Sequence, residues 1–252
     1  MNLKQRLTNR EQTIGSWITI GSTAVAEIMA RTGFDWLVVD MEHSAITLDI
    51  AQDMIRVIDL CEIPPLVRVG HNQPNLIKRV MDTGAHGVIV PMVNSKADAM
   101  QAVASVKYPP EGFRGVGLAR AQKYGADFKG YKDWNQENSV VIVQVEHIDS
   151  VNNLEQILAV PGVDGFIVGP YDLSGSLGVP GQFNHPDVLE ALQRIKDVAA
   201  EMNALSGFHV IPPDKKDLKE KEQQGYKFLA FSLDILFLGE SCRNELQGFR
   251  ND

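Results

Sequence analysis

Asp40, Arg68, Glu146 and Asp172 each interrupt or end a run of apolar residues. Phe34-Asp35-Trp36-Leu37-Val38-Val39 runs into Asp40 and then Met41-Glu42-His43, and Leu66-Val67 precedes Arg68. Val141-Ile142-Val143-Gln144-Val145 leads to Glu146, and Phe166-Ile167-Val168-Gly169-Pro170-Tyr171 leads to Asp172. A charge set among apolar residues is costly to bury unless it is matched, so each of these groups calls for a partner, a ligand or a metal. Glu146 and Asp172 offer hard oxygen donors suited to Mg2+ or Mn2+. Such an ion would keep open or water-filled positions for the carboxylate and keto oxygens of a 2-oxo acid. Arg68 has the planar fork to hold that keto oxygen and stabilise an enolate, or else it forms an internal ion pair with Asp40 or Glu42. His43 follows Asp40 by three residues, a spacing at which the carboxylate could orient the imidazole as a general base. Taken singly, either metal-type carboxylate could equally cap a helix or meet a surface cation, and a loop histidine is often only a surface residue. Their joint placement is what argues for chemistry. The remaining histidines are read as structural, with His147 beside Glu146 the exception in spacing and His209 placed where it could alter the pocket.

These groups meet only if the runs that carry them lie side by side. Eight short runs read as strands: Gly15–Ile20, Trp36–Asp40, Pro65–Val69, Gly87–Met92, Val140–Glu146, Gly165–Gly169, Ser206–Ile211 and Lys227–Leu233. Helix-period segments separate them. Ser22 or Thr23 can cap the first, which Gly33 stops; Gln73-Pro74-Asn75 opens another, and a third follows Ser95. Strands and helices that alternate nearly throughout fit a parallel sheet, open and doubly wound or closed, and the count of eight favours closure into a single-domain (β/α)8 TIM barrel over residues 1–252. In that fold the carboxyl ends of the strands carry the chemistry, and Glu146 and Asp172, following consecutive strands, would converge above the rim. The segment Pro109–Ser139, rich in glycine, is too long for a routine connection and is expected either to serve as an active-site loop or to be a surface excursion.

Composition narrows the field. A net charge of −8 argues against general affinity for nucleic acid or an anionic membrane, so an anionic substrate must be met by local cations. No apolar run reaches the length of a membrane span, and the start Met1-Asn2-Leu3-Lys4-Gln5-Arg6 is unlike a signal peptide. Cys61 and Cys242 make neither a disulfide framework nor a zinc ribbon, which suits a cytoplasmic protein. No candidate strand ends in a lysine placed for a Schiff base, Lys227 lying at the start of its strand; nor is there a Gly-x-Gly-x-x-Gly or Walker-type loop.

From about Ile14 to about Leu236 the chain resembles the HpcH/HpaI aldolases. The resemblance is carried by Gly33–Asp40 with Glu42-His43, by Tyr108-Pro109-Pro110-Glu111-Gly112-Phe113-Arg114-Gly115-Val116-Gly117, by Val143-Gln144-Val145-Glu146, and by Gly162–Leu173. It implies a divalent-metal-dependent (Mg2+, Mn2+ or Co2+) aldolase that forms or cleaves a 4-hydroxy-2-oxo acid from pyruvate and an aldehyde. Glu146 and Asp172 would be the metal ligands, Arg68 the keto-oxygen contact, and His43 with Asp40 the acid–base pair. The resemblance also implies that the amides of Tyr171 and Asp172 receive the pyruvate carboxylate, that Gln144 lines the site, and that the assembly is a homohexamer built of trimers, with the C-terminal helix used in oligomer contacts. Departures at Tyr171, where family members often carry a small residue, and at Ser232-Leu233-Asp234 leave the aldehyde partner open. Related barrels act as citrate or malyl-CoA lyases or as citrate synthases, and that is the alternative activity.

Overall fold

The computed structural model describes residues 1–251. In chain order the elements are α1 (Leu3–Thr8), β1 (Thr13–Ile18), α2 (Thr23–Ala30), β2 (Trp36–Asp40), α3 (Leu48–Leu60), β3 (Pro65–Arg68), α4 (Pro74–Asp82), β4 (Gly87–Val90) and α5 (Lys96–Val106). They continue with α6 (Phe128–Asn138), β5 (Val140–Val145), α7 (Ile148–Asn152), α8 (Leu154–Leu158), β6 (Gly165–Val168), α9 (Pro170–Ser176), α10 (Pro186–Glu201), β7 (Ser206–Val210), α11 (Lys215–Gln223), β8 (Phe228–Leu233) and α12 (Asp234–Asn251). The strands pair in parallel in sequence order, and β8 closes on β1. Each run read as a strand is one, with β1 starting at Thr13 rather than Gly15 and β4 stopping at Val90 rather than Met92. Helix α2 starts after Ser22, α4 after Gln73 with Pro74 in its first turn, and α5 after Ser95, whose side chain accepts from the Asp98 amide.

Period-2 alternation sorts the strand residues into two cores. Trp36 and Val38, Leu66, Ile89, Ile142, Ile167, Phe228 and Ala230 face inward with Trp17. The opposite phase, including Leu37, Val39, Val67, Val141, Val143, Val168 and Leu229, packs outward against the helices. The barrel floor is sealed by Trp36 stacked on Phe228, ring centroids 4.1 Å apart and nearly coplanar at 7°. Gly15 permits this, because a Cβ there would lie 2.1 Å from the Trp36 ring. Leu3 and Leu7 of α1 join the same inner cluster. Carried upward, the alternation turns Asp40 (two beyond Val38), Arg68 (two beyond Leu66), Gln144 and Glu146 (beyond Ile142) and His209 (two beyond Gly207) into the barrel mouth.

The long segment 109–139 does not reach that mouth. It joins the end of α5 to the start of β5, and connections running from helix to strand emerge at the amino-terminal face. There α6 packs on α1, Arg120 reaches the Asp59 carboxylate at 2.8 Å and the Thr83 carbonyl at 3.0 Å, and the Tyr131 hydroxyl donates to the Met81 carbonyl at 3.2 Å. Within this chain the segment runs along the amino-terminal face of the barrel.

Candidate active site

Asp40 and Arg68 lie opposite one another in the β2–β3 register. That placement sets up a two-point ion pair: Arg68 Nε donates to Asp40 Oδ1 at 2.9 Å and Nη2 to Oδ2 at 2.6 Å. Glu42 Oε2 lies 3.3 Å from the same Nε, and the guanidinium rests on Trp17, its Cζ 4.4 Å from the ring centroid. Arg68 Nη1 is the part of the fork left for a ligand. Burial alone would push Asp40 up, but the hydrogen bonds and charge of Arg68, with the amides of Glu42 and His43, outweigh it and hold the carboxyl below its usual range.

This differs from the expected Asp40–His43 pairing. Asp40 Oδ1 accepts from the backbone amides of Glu42 (3.0 Å) and His43 (3.3 Å), and the imidazole stands apart, its side chain 64% exposed and its Nε2 3.9 Å from Glu42 Oε2. The physical reason is the register: a guanidinium directly opposite on the neighbouring strand would be left unmatched if Asp40 turned to the ring. His43 still lines the cavity at the mouth, together with Arg68, Gln144, Tyr171 and Asp172.

Glu146 sits just beyond β5, buried, with Oε1 accepting from the Met92 amide at 2.7 Å and Oε2 accepting from Gln144 Nε2. Gly169 makes room for it: a Cβ there would lie 3.1 Å from Glu146 Cβ and 3.2 Å from Glu146 Oε2. Burial pushes the Glu146 pKa up to about 7, with the charges of Glu42 and Asp172 adding to the rise and the Met92 amide opposing it. Glu42 is likewise pushed up to about 7 by burial, with Asp40 and Asp172 adding and Arg68 opposing. Asp40, Glu42 and Glu146 thus act on one guanidinium, Asp172 acts on both glutamates, and Glu42 Oε2 and Gln144 Oε1 are buried without a hydrogen-bond partner. A divalent cation fits such a set, since its charge would offset the burial and the neighbouring carboxylates that push both glutamates up. Among the described residues no three His, Cys, Asp or Glu converge as a complete ligand cage. Mg2+-type ions, which retain several waters, need only one or two carboxylates.

Sequence reasoning passed over Glu42 as a site residue in its own right, and it missed Trp17 and Gly169. Trp17 was legible as an inward position of β1, and Gly169 as the residue two beyond inward-facing Ile167. His209 also belongs to the site. Its Nε2 lies 3.3 Å from the Ser232 carbonyl, its ring meets Trp17 at 5.2 Å, and burial pushes its pKa down to about 3, so it is neutral. His147, by contrast, caps α7 by accepting from the Asp149 amide through Nδ1 at 3.1 Å.

A parallel eight-stranded barrel with an arginine and a cluster of carboxylates at its carboxyl-end mouth defines the class of barrel enzymes that handle charge developing on small anionic substrates. The HpcH/HpaI aldolase/citrate lyase family matches residues 13–240, and this chain belongs to that family. It is similar to the hydroxypyruvate/pyruvate aldolase of Chromohalobacter salexigens, 35% identical over 238 residues covering 94% of this chain and 92% of the relative. It is also similar to the 5-keto-4-deoxy-D-glucarate aldolase of Escherichia coli, 36% identical over 233 residues covering 92% of this chain and 90% of the relative. Among solved structures, an HpcH/HpaI aldolase/citrate lyase family protein from Burkholderia cenocepacia superposes with a TM-score of 0.93 at 35% identity, covering 98% of each chain.

Proposed function

We propose that this protein is a carbon–carbon lyase of the class II pyruvate aldolase type, forming or cleaving a 4-hydroxy-2-oxo acid from pyruvate and an aldehyde. The observation that carries the reading is the charge imbalance at the mouth, where Asp40, Glu42 and Glu146 act on the single guanidinium of Arg68 and Asp172 adds its charge beside the two glutamates. Glu146 and Asp172 would hold a divalent ion such as Mg2+, Mn2+ or Co2+. When bound, that ion supplies Lewis-acid polarisation of the 2-oxo acid.

The protein's own residues do the rest. Arg68, fixed by Asp40 and braced on Trp17, offers Nη1 to the keto oxygen and to the negative charge that develops there. Tyr171 and Asp172 stand in the first turn of α9, where backbone amides have no carbonyl four residues back, and these amides receive the substrate carboxylate. Gln144 orients Glu146. In synthesis a proton leaves the pyruvate methyl carbon, that carbon bonds to the aldehyde carbon, and the aldehyde oxygen takes a proton. His43, open to the cavity, exchanges the proton at that oxygen, and in cleavage it removes the proton from the hydroxyl.

The chain is proposed to act as a homo-oligomer, a hexamer built of trimers, with α12 contributing through the exposed Leu238, Leu246 and Phe249. Its free cysteines suit the cytoplasm, and no described helix is long and apolar enough to cross a membrane. The test of the reading is exchange of pyruvate methyl protons in D2O together with aldol cleavage. Both should stop in chelator, return with Mn2+ or Mg2+, and fall on the order of 100-fold in Arg68→Lys, which keeps the charge but loses the fork. Full turnover by protein verified to be metal-free would refute the class II assignment.

A further inference from the structure

We infer that Met92 is a positioning residue for the metal end of the reaction: its backbone, held in a left-handed turn, presents the Met92 N–H to Glu146 and fixes how that carboxylate faces the mouth. The inference rests on the reading of Glu146 as a metal ligand and adds a residue that acts on it through the main chain.

Met92 lies just beyond β4 and has a φ of +50°, a region strained for any residue that carries a Cβ. Side-chain packing does not account for the strain, because the residue is 49% exposed. The reason lies on the two sides of the turn. Upstream, the N–H of the Pro91–Met92 peptide donates to Glu146 Oε1 at 2.7 Å. Downstream, the chain drops at once into the helix layer. Val93 is buried in the outer core, and the Asn94 amide donates to Asp98 Oδ2 at 3.1 Å. The Asn94 carbonyl accepts from Asn153 Nδ2 at 2.8 Å, and Ser95 caps α5.

The φ of Met92 is the rotation that relates the upstream N–H to these downstream anchors. With an extended or right-handed φ and the N–H kept on Glu146, the chain beyond would leave in another direction and forfeit them. With the anchors kept instead, the N–H would turn away from Glu146. A strained dihedral persists when its surroundings over-determine it, and here both sides do. Glu146 has no comparably rigid donor elsewhere. Its Oε2 accepts from Gln144, a side-chain amide whose own Oε1 is buried without a partner, so that contact can swing with the Gln144 side chain. A main-chain N–H pinned on both sides cannot.

The test separates backbone from side chain. Mn2+ affinity is measured without substrate, from the EPR signal of the free ion, beside thermal unfolding in EDTA. Met92→Val, whose β-branched side chain resists the left-handed turn, should weaken Mn2+ binding on the order of 10- to 100-fold, the loss usual when a group that orients a metal ligand is removed. Met92→Gly enters the same conformation freely and keeps the N–H, so it should retain affinity within about threefold. Placing the α-hydroxy analogue of methionine at position 92 exchanges the N–H for an ester oxygen and leaves the side chain intact; it should weaken binding as Met92→Val does. Arg10 supplies the control away from the mouth. It too is left-handed, at φ +55°, in the α1–β1 connection on the opposite face, and Arg10→Val should lose comparable stability with Mn2+ affinity within about twofold. Wild-type affinity in the ester, or a Met92→Gly as weak as Met92→Val, would overturn the inference alone. Wild-type affinity in Glu146→Gln would remove Glu146 as a ligand and this inference with it.

Discussion

Asp40 grips Arg68 at two points and, through the same carboxylate, pins the turn that carries Glu42 and His43. Its role therefore belongs to the pyruvate end of the reaction, and His43 works at the other end without it. The two substitutions should separate cleanly. Asp40→Asn weakens the charge-assisted pair and lets the fork drift, so it should lower the affinity for oxalate in the presence of Mn2+ by about 10-fold or more along with turnover. His43→Ala should abolish most cleavage of a 4-hydroxy-2-oxo acid while leaving oxalate affinity within about twofold, since its exposed imidazole meets the pyruvate end only through a loose 3.9 Å approach to Glu42. Calorimetric titration of oxalate and steady-state cleavage, measured on both variants, decide the matter. If Asp40→Asn binds oxalate normally and only cleaves slowly, Asp40 acts through His43 after all.

At the scale of elements, phase along a strand carried most of what could be read in advance. Once Trp36 and Val38 are taken as inward, Asp40 must be inward too, and the same count delivers Arg68 from Leu66 and Glu146 from Ile142. Partner choice was not legible in the same way. Asp40 and Arg68 are 28 residues apart, and their pairing, one of the two roles open to Arg68 in the sequence, is decided by the β2–β3 register, whereas spacing also offered Asp40 the nearer His43. The segment 109–139 was ambiguous because length signals an unusual loop without saying which face it crosses; only its position after α5 and before β5 decides that. What holds it is partly Lys107, whose buried ammonium donates to the Asn135 and Gln136 carbonyls and to Ser139 Oγ at 2.8–2.9 Å, tying the end of α5 to the end of α6. Lys107→Met fills similar space but strands those carbonyls. It should cost about 2 kcal/mol in denaturant unfolding with kcat nearly unchanged, because the defect lies at the opposite face of the barrel from the mouth. A fall in kcat without a loss of stability would mean that this segment communicates with the site.

The whole molecule carries an excess of negative charge, −8 overall, and concentrates part of it where burial makes it most costly. That placement predicts how metal-free protein should respond to pH. In the folded chain Glu146 has a pKa of about 7, against an ordinary value near 4.5, and the groups facing it are Glu42, Asp172, Gln144 and Arg68. Below about pH 4.5 the carboxyl is protonated whether the chain is folded or not, and it contributes no pH dependence. Between about 4.5 and 7 the folded state binds more protons than the unfolded state, so stability falls as pH rises, and above 7 the full penalty is in place. Glu42, shifted in the same direction, adds to the slope. The total loss should be on the order of a few kcal/mol. A divalent cation binds the ionised carboxylates and so reverses the trend, stabilising the protein more at pH 7.5 than at pH 5.5, where protons compete for the same oxygens. The measurement is thermal unfolding in EDTA and in Mn2+ at those pH values, for the wild type and for Glu146→Gln. In EDTA the wild type should lose more stability than the variant between pH 5.5 and 7.5, and Mn2+ should rescue the wild type at pH 7.5 while doing little for Glu146→Gln. Equal pH slopes in the two proteins, or a Mn2+ gain that survives in Glu146→Gln, would place the metal away from Glu146 and separate the acidic cluster at the mouth from the binding of the ion.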